Sequence, residues 1–275
     1  SLTTLTEFLK DRETMLIDVS ANIGHWPFRQ TGLRTCEELL GNMDRYGVEI
    51  SVISNMNGIF YKDSHAANEE LNREILSEKR FRNRFIPFAV LNPLYAGWKN
   101  DLLTCSRKLG FRGLRLYPQY HDYEITDPAC IDMVKCARDE GLIIALTIRM
   151  VDSRLRSWMD LSTEWTLKNI IPLIREVPDA RYLILNVSGG MILNDEDTAL
   201  VKRTDLVFDT SGRNVSDLGS LLKKYGRERF AFGTHSPMLD YLTGLLRIES
   251  LRAGEADEAT KEMLRSGNAK RLLGI

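Results

Sequence analysis

Short apolar runs rich in β-branched residues alternate with longer amphipathic stretches along the whole chain. The apolar runs predict strands over 15–20, 50–54, 85–91, 114–117, 143–149, 181–186, 205–209 and 230–233. Apolar positions three and four apart predict helices over 35–46, 66–80, 96–109, 128–140, 163–177 and 215–225. The stretch from Asp240 onward predicts two closing helices. Strands separated by helices pair in parallel through crossover connections. Eight such units in 275 residues predict one closed α/β (β/α)8 TIM barrel spanning residues 1–275 as a single domain, rather than an open sheet. Local chemistry agrees with these boundaries. Asp127-Pro128 supplies a cap and a first-turn proline, Asn92-Pro93 stops a strand, and Ser188-Gly189-Gly190 permits a tight turn.

Composition changes this picture mainly by exclusion. The 37 basic and 38 acidic residues are well mixed and leave a formal charge of −1, which supports neither a nucleic-acid nor an anionic-membrane partner. No apolar run approaches the ~18 residues of a transmembrane helix. The four cysteines, Cys36, Cys105, Cys130 and Cys136, form no CxxC pair and read as reduced and structural, which points to the cytoplasm. A leader trimmed before Ser1 is left open.

Six segments occur in an order that resembles the amidohydrolase-2 family of metal-dependent decarboxylases and hydrolases. They are Ile17-Asp-Val-Ser-Ala-Asn-Ile-Gly24, Arg84-Phe-Ile-Pro-Phe-Ala-Val-Leu-Asn-Pro93, Gly110-Phe-Arg-Gly-Leu-Arg-Leu-Tyr-Pro118, the run from Pro178 to Gly190, Phe232-Gly-Thr-His-Ser-Pro237 and Asn268-Ala-Lys-Arg-Leu-Leu-Gly274. Where that family has His-x-His after its first strand, this chain has Ser20-Ala-Asn22. The fifth- and sixth-strand histidines fall on Thr147 and Asn186, and the eighth-strand aspartate falls on His235. Hydroxyls and amides are poor ligands for a zinc-type ion. The resemblance, with its ligands replaced, therefore implies no metal residues and no cofactor.

Strand parity lists what lines the mouth, the carboxyl ends of the strands where sites of this fold lie. Asp18, Ser20 and Asn22 share one parity, as do Arg115 with Tyr117, Thr147 with Arg149, Asn186 with Ser188, Asp209 with Ser211, and Gly233 with His235. Inward arginines need anions, either Asp18 or Asp209 or a substrate carboxylate or phosphate. His235 suits a general base or a hydrogen-bonded structural role, and Tyr117 an acid or a core cap. Asn22 and Asn186 read as structural amides or substrate contacts. His25, in Gly-His-Trp-Pro-Phe, His65 and His121 follow strands, and an aromatic-flanked His25 can wall a pocket. No HxH or HxxxH spacing supports a replacement metal site built from His25, His121 and His235.

These observations lead to a hydrolase that works without the usual metal on a small anionic molecule such as a lactone or activated ester. His235, Tyr117 and His25 are its catalytic candidates. Ser20, Asn22, Arg115, His121, Thr147, Arg149, Asn186 and Asp209 are its substrate contacts. Two alternatives stay open: an inactive barrel that binds a small molecule or a protein, and a metal-dependent hydrolase or decarboxylase with a rearranged metal site. The resemblance also carries the expectation of a homodimer.

Overall fold

The computed structural model describes residues 14–160, 162–214 and 216–275. Eight parallel strands form one sheet in sequential order: β1 (Ile17–Ile23), β2 (Ile50–Asn55), β3 (Phe85–Val90), β4 (Gly113–Leu116), β5 (Ile143–Thr147), β6 (Arg181–Leu185), β7 (Leu206–Asp209) and β8 (Phe230–Ala231). Parallel bridging of Ala21 with Ser236 closes the ring, helped by Val19 N donating to Phe232 O at 3.0 Å and Asn22 N to Ser236 O at 2.8 Å. This is the predicted barrel. Strand β8 is shorter than its apolar run because residues beyond Ala231 turn to make that closure.

Helices follow each strand: α1 (Cys36–Tyr46), α2 (Ser64–Ser77), α3 (Trp98–Arg107), α4 (Pro128–Asp139), α5 (Ile171–Glu176), α6 (Asp195–Arg203), α7 (Leu218–Tyr225) and α8 (Tyr241–Glu249). Thr35 caps α1 by accepting from Glu38 N, and Gly47 ends it at φ 71°, a conformation that costs glycine little. Helix α6 has no counterpart in the sequence reading. It buries only Leu200 and Val201, so its apolar stripe is too thin to show, while the Asn194 cap and three acidic first-turn residues define its start. The helix predicted over 163–177 starts later, at a 3-10 turn (Leu167–Ile170) set by the Thr166–Asn169 capping box. The helix predicted from 215 has its first residue, Val215, outside the described residues. The two closing helices are α8 and a continuous run from Glu258 to Leu273 through a π-turn.

Two apolar layers separate inside from outside. Ile17, Val19, Val52, Phe88, Ala145, Leu185 and Val207 pack together as the barrel interior, and the larger layer lies between strands and helices. Ile17 and Val19 therefore face inward, and Asp18 faces the helices. A bulge between Asp18 and Ala21 then reverses the alternation. Simple parity is corrected here: Asn22 and Asp18 do not share a face. Among the described residues no helix is long and apolar enough to cross a membrane.

Candidate functional site

The mouth is organised around the guanidinium of Arg115, which is 2% exposed. Nε donates to Thr147 Oγ1 at 2.9 Å, and Nη1 donates to Asn22 Oδ1 at 2.7 Å. Strands β1, β4 and β5 thus meet on one cation, which also lies 5.4 Å from the Tyr117 ring centroid. Arg115 Nη2 is buried without a hydrogen-bond partner among the described residues, and the buried Tyr117 hydroxyl lies within reach of Thr147. Burial pushes the Tyr117 phenol up, so it stays protonated at neutral pH. Neither internal ion pair considered from sequence forms. No ion pair among the described residues includes Arg115, and Arg149 lies 3.7 Å from Asp152 rather than against Asp18 or Asp209.

His235, four residues past β8, has φ 54° and Asn186, just after β6, has φ 53°, a strained region for residues other than glycine. Such positions concentrate at functional sites. His235 is fully buried, and Nε2 lies 2.7 Å from Met150 O. A carbonyl only accepts, so Nε2 carries the proton and Nδ1 keeps a free lone pair with no partner among the described residues. Burial, reinforced by Arg115, brings the ring down to about 3. At neutral pH His235 is a hydrogen-bond acceptor and too weakly basic for efficient proton abstraction. The left-handed turn at Asn186 sends its amide to Arg149 O at 2.6 Å, while its backbone N–H donates to Asp209 Oδ1 at 2.7 Å.

Asp209 also accepts from the Ser211 hydroxyl, and burial pushes it up to about 6 despite those hydrogen bonds. Asp18 is likewise raised to about 6 by burial, while it accepts from Ser20 N, Thr234 N and Thr234 Oγ1. It ties β1 to the segment that follows β8. The Ser20 hydroxyl is buried and faces the Asp209 carboxyl, whose charged form it favours. Beside Arg149 lies a cavity of about 10 Å³, also lined by Gln119, Thr147 and Arg156. It has room for about one water. That cavity is nearly filled by its own lining.

The remaining histidines stand apart from this cluster. His25 is exposed, and its backbone N–H, not its ring, is held by Asn57 Oδ1 at 2.8 Å. The buried neighbour Trp26 supplies the wall instead, packing edge-to-face on Phe28, Phe60 and Tyr120 at 5.3 to 5.7 Å. His121 Nε2 reaches Ile59 O at 3.1 Å and Gly58 O at 3.3 Å, and burial pulls its ring down. It joins two loops. His65 lies beside Cys105, 3.6 Å from Nδ1 to Sγ.

Two arginines escaped the sequence reading. Arg213 and Arg247 are 3% and 7% exposed, and Arg247 Nε donates to Arg213 O at 2.7 Å. Arg213 could have been found by extending the β7 parity past Ser211. Arg247 sits on the buried stripe of α8 with Gly244, Leu245 and Ile248, where a charged residue is itself a signal.

No family model and no curated protein matches the chain. Solved structures do match over nearly its full length. A 2,6-dihydroxybenzoate decarboxylase complexed with 2,6-dihydroxybenzoate superposes with TM-score 0.73 at 17% identity, covering 95% of this chain and 99% of its own. The 5-carboxyvanillate decarboxylase of Novosphingobium aromaticivorans, complexed with manganese and a nitrobenzoic acid, gives 0.76 at 11%, covering 96% and 97%. A dihydroxybenzoic acid decarboxylase from a Polaromonas species, with manganese and 2-nitroresorcinol, gives 0.71 at 14%, covering 95% and 97%. At these identities the likeness shows a shared fold.

The expectation of no cofactor is corrected by these structures, because two of the three hold manganese. The five positions named from sequence do not, as arranged, form a shell for such an ion. Asn22 and Thr147 give lone pairs to the Arg115 cation, and Ser20 and Asn186 offer a hydroxyl and an amide. Among the described residues no three His, Cys, Asp or Glu converge. Among the described residues of this cluster, His235 Nδ1 is a nitrogen with a free lone pair.

Proposed function

We propose that the chain is an enzyme of the amidohydrolase type, a decarboxylase or hydrolase that acts on a small carboxylate at the barrel mouth. The observation that carries this is Arg115: a buried guanidinium whose Nη2 has no hydrogen-bond partner among the described residues, its charge felt by Asp209 but bonded to no carboxylate there. Guanidinium cannot shed its charge, so burying it unpaired is costly unless an anion completes it. A bound carboxylate would take Nη2, the Tyr117 hydroxyl would donate to the same oxygen or its neighbour, and His235 Nδ1 would accept from a ligand hydroxyl. Ser20, Asn22, Thr147, Asn186 and Asp209 hold this arrangement in register. The fold shared with carboxylate-processing enzymes supports the reading, and a homodimer, checked by sedimentation, belongs to it.

A second reading has a divalent ion held in a rearranged shell at the same mouth. It is favoured by His235, whose Nε2–H is fixed on a backbone carbonyl while Nδ1 stays free, the orientation typical of metal-ligating imidazoles. Manganese content of protein purified without chelator, compared between wild type and His235→Gln, tests it. Equal, near-zero content in both would reject it.

For the main reading, the protein is incubated with 2,6-dihydroxybenzoate, 5-carboxyvanillate and an aromatic lactone, with manganese present and after chelation. Turnover of one class is expected, and Arg115→Gln should lower kcat/KM at least ~100-fold. A compound that stabilises the fold yet is recovered unchanged would instead make the chain a binding module.

A further inference from the structure

We infer that residues 152–160 form a gate over the barrel mouth, swinging out to admit a small carboxylate to Arg115 and latched shut by the hydrogen bond between Tyr120 and Asp160. This rests on the reading of Arg115 as a carboxylate receptor and adds how a ligand arrives there. Arg115 Nη2 and His235 Nδ1, the two atoms offered to that ligand, are buried from solvent. Thr147, which accepts from Arg115 Nε, borders the cavity of about 10 Å³. That is room for about one water, against roughly 300 Å³ or more in ordinary ligand pockets. No carboxylic acid reaches Arg115 until part of the cover moves.

The chain after β5 divides into a fixed base and a loosely held remainder. Four consecutive carbonyls are pinned at the base. Thr147 O and Ile148 O accept from Gln119 Nε2 at 3.3 and 2.9 Å, Arg149 O from Asn186 at 2.6 Å, and Met150 O from His235 at 2.7 Å. Met150 and the half-buried Val151 also pack with Trp26 and Tyr117 in one apolar cluster. Beyond them the hold weakens. Residues 152–160 contain no helix or strand, and Leu155, Trp158 and Met159 turn outward, 67%, 88% and 51% exposed. The segment thus buries little apolar surface of its own, and segments of that kind open at the lowest cost. Leu155 N donates to Asp152 O, Asp160 N to Ser157 O, and Arg154 closes on the Asp152 carboxylate, bonds that travel with the segment. Its ties to the barrel run through Asp152, 3.7 Å from Arg149, and through Asp160, which accepts from the Tyr120 hydroxyl at 3.1 Å. Arg156 reaches back to line the same cavity as Thr147 and Arg149. Swinging the segment out therefore unroofs that cavity beside the Arg115 partner Thr147. The aromatic wall is held more firmly, because Trp26 is buried and packs edge-to-face on three rings.

Tyr120→Phe removes the latch and keeps the ring in its wall. Benzoate affinity is measured by calorimetry and its exchange rates by ligand-observed NMR. Entry and exit both pass through the open state, so weakening a bond present in the closed free and closed bound protein raises kon and koff by one factor. Both are expected to rise at least ~5-fold in Tyr120→Phe, with Kd within ~2-fold of wild type. Unchanged rates, or a change confined to one of them, overturn the gate and leave the carboxylate reading standing, since benzoate still binds. If benzoate does not bind wild type, the carboxylate reading and the gate fall together. If Tyr120→Phe does not fold, Asp160→Asn gives the same comparison, because it keeps an oxygen for Ser162 N and removes the charge that strengthens the latch.

Discussion

His235 and the two buried carboxyls, Asp18 and Asp209, set opposite pH dependences on the same fold. The carboxyls sit at about 6 in the folded protein against an ordinary 3.8, so the folded state holds the extra protons between those values. Their burial destabilises the protein above pH 6, and that penalty is relieved as pH falls towards 4. His235, at about 3 against 6.5, works the other way: the unfolded chain takes the proton first, and stability is lost from pH 6.5 downward. His235→Asn should therefore gain about 2 kcal/mol relative to wild type between pH 7.5 and 5.0, read from urea midpoints. A parallel pair of pH curves would mean that the ring is charged in the folded protein. Arg115, Asn22 and Thr147 were legible in the sequence, since two inward-facing strands and a motif position named them. The free lone pair of His235 was not, because it depends on a carbonyl 85 residues away.

At the scale of elements, close packing and capping set what can change. A Cβ at Gly113 in β4 would stand 2.5 Å from the Phe88 ring on β3, within the barrel interior. Gly113→Ala should cost about 1–3 kcal/mol by denaturant unfolding, and a neutral result would show that Phe88 can turn aside. Between β5 and the 3-10 turn at Leu167, the chain has little regular structure, and Arg154 exposes 85% of its side chain. Trypsin should cut first after Arg154 or Arg156, as mass spectrometry of early fragments can check; a first cut inside α1–α4 would contradict this. Strands and most helices were legible because each shows its period in a few residues. Helix α6 was not, having a two-residue apolar stripe, and the β1 bulge was not, because a bulge depends on the partner strand.

For the molecule as a whole, closure decides the site. The ring from β1 round to β8 brings residues more than 200 positions apart into contact, Asp18 with Thr234 and Asn22 with Ser236. The aromatic wall of Trp26, Phe28, Phe60 and Tyr120 comes from three separate loops and covers the same face. Trp26→Ala should cost about 3–5 kcal/mol if that wall is a packed unit, measurable by thermal and urea unfolding, whereas a loss under 1 kcal/mol would show a loosely held rim. The sequence by itself determined the barrel, since alternation of strand and helix periods is local and eight repeats leave few other topologies. It also determined that Arg115 lies near the carboxyl end of β4 and that His235 follows β8. Only the tertiary structure decided their partners: that Arg115 rests on an amide and a hydroxyl, and that His235 presents an acceptor. Burial, counter-charge and hydrogen-bond direction are properties of neighbours in space, and no local pattern in the chain records them.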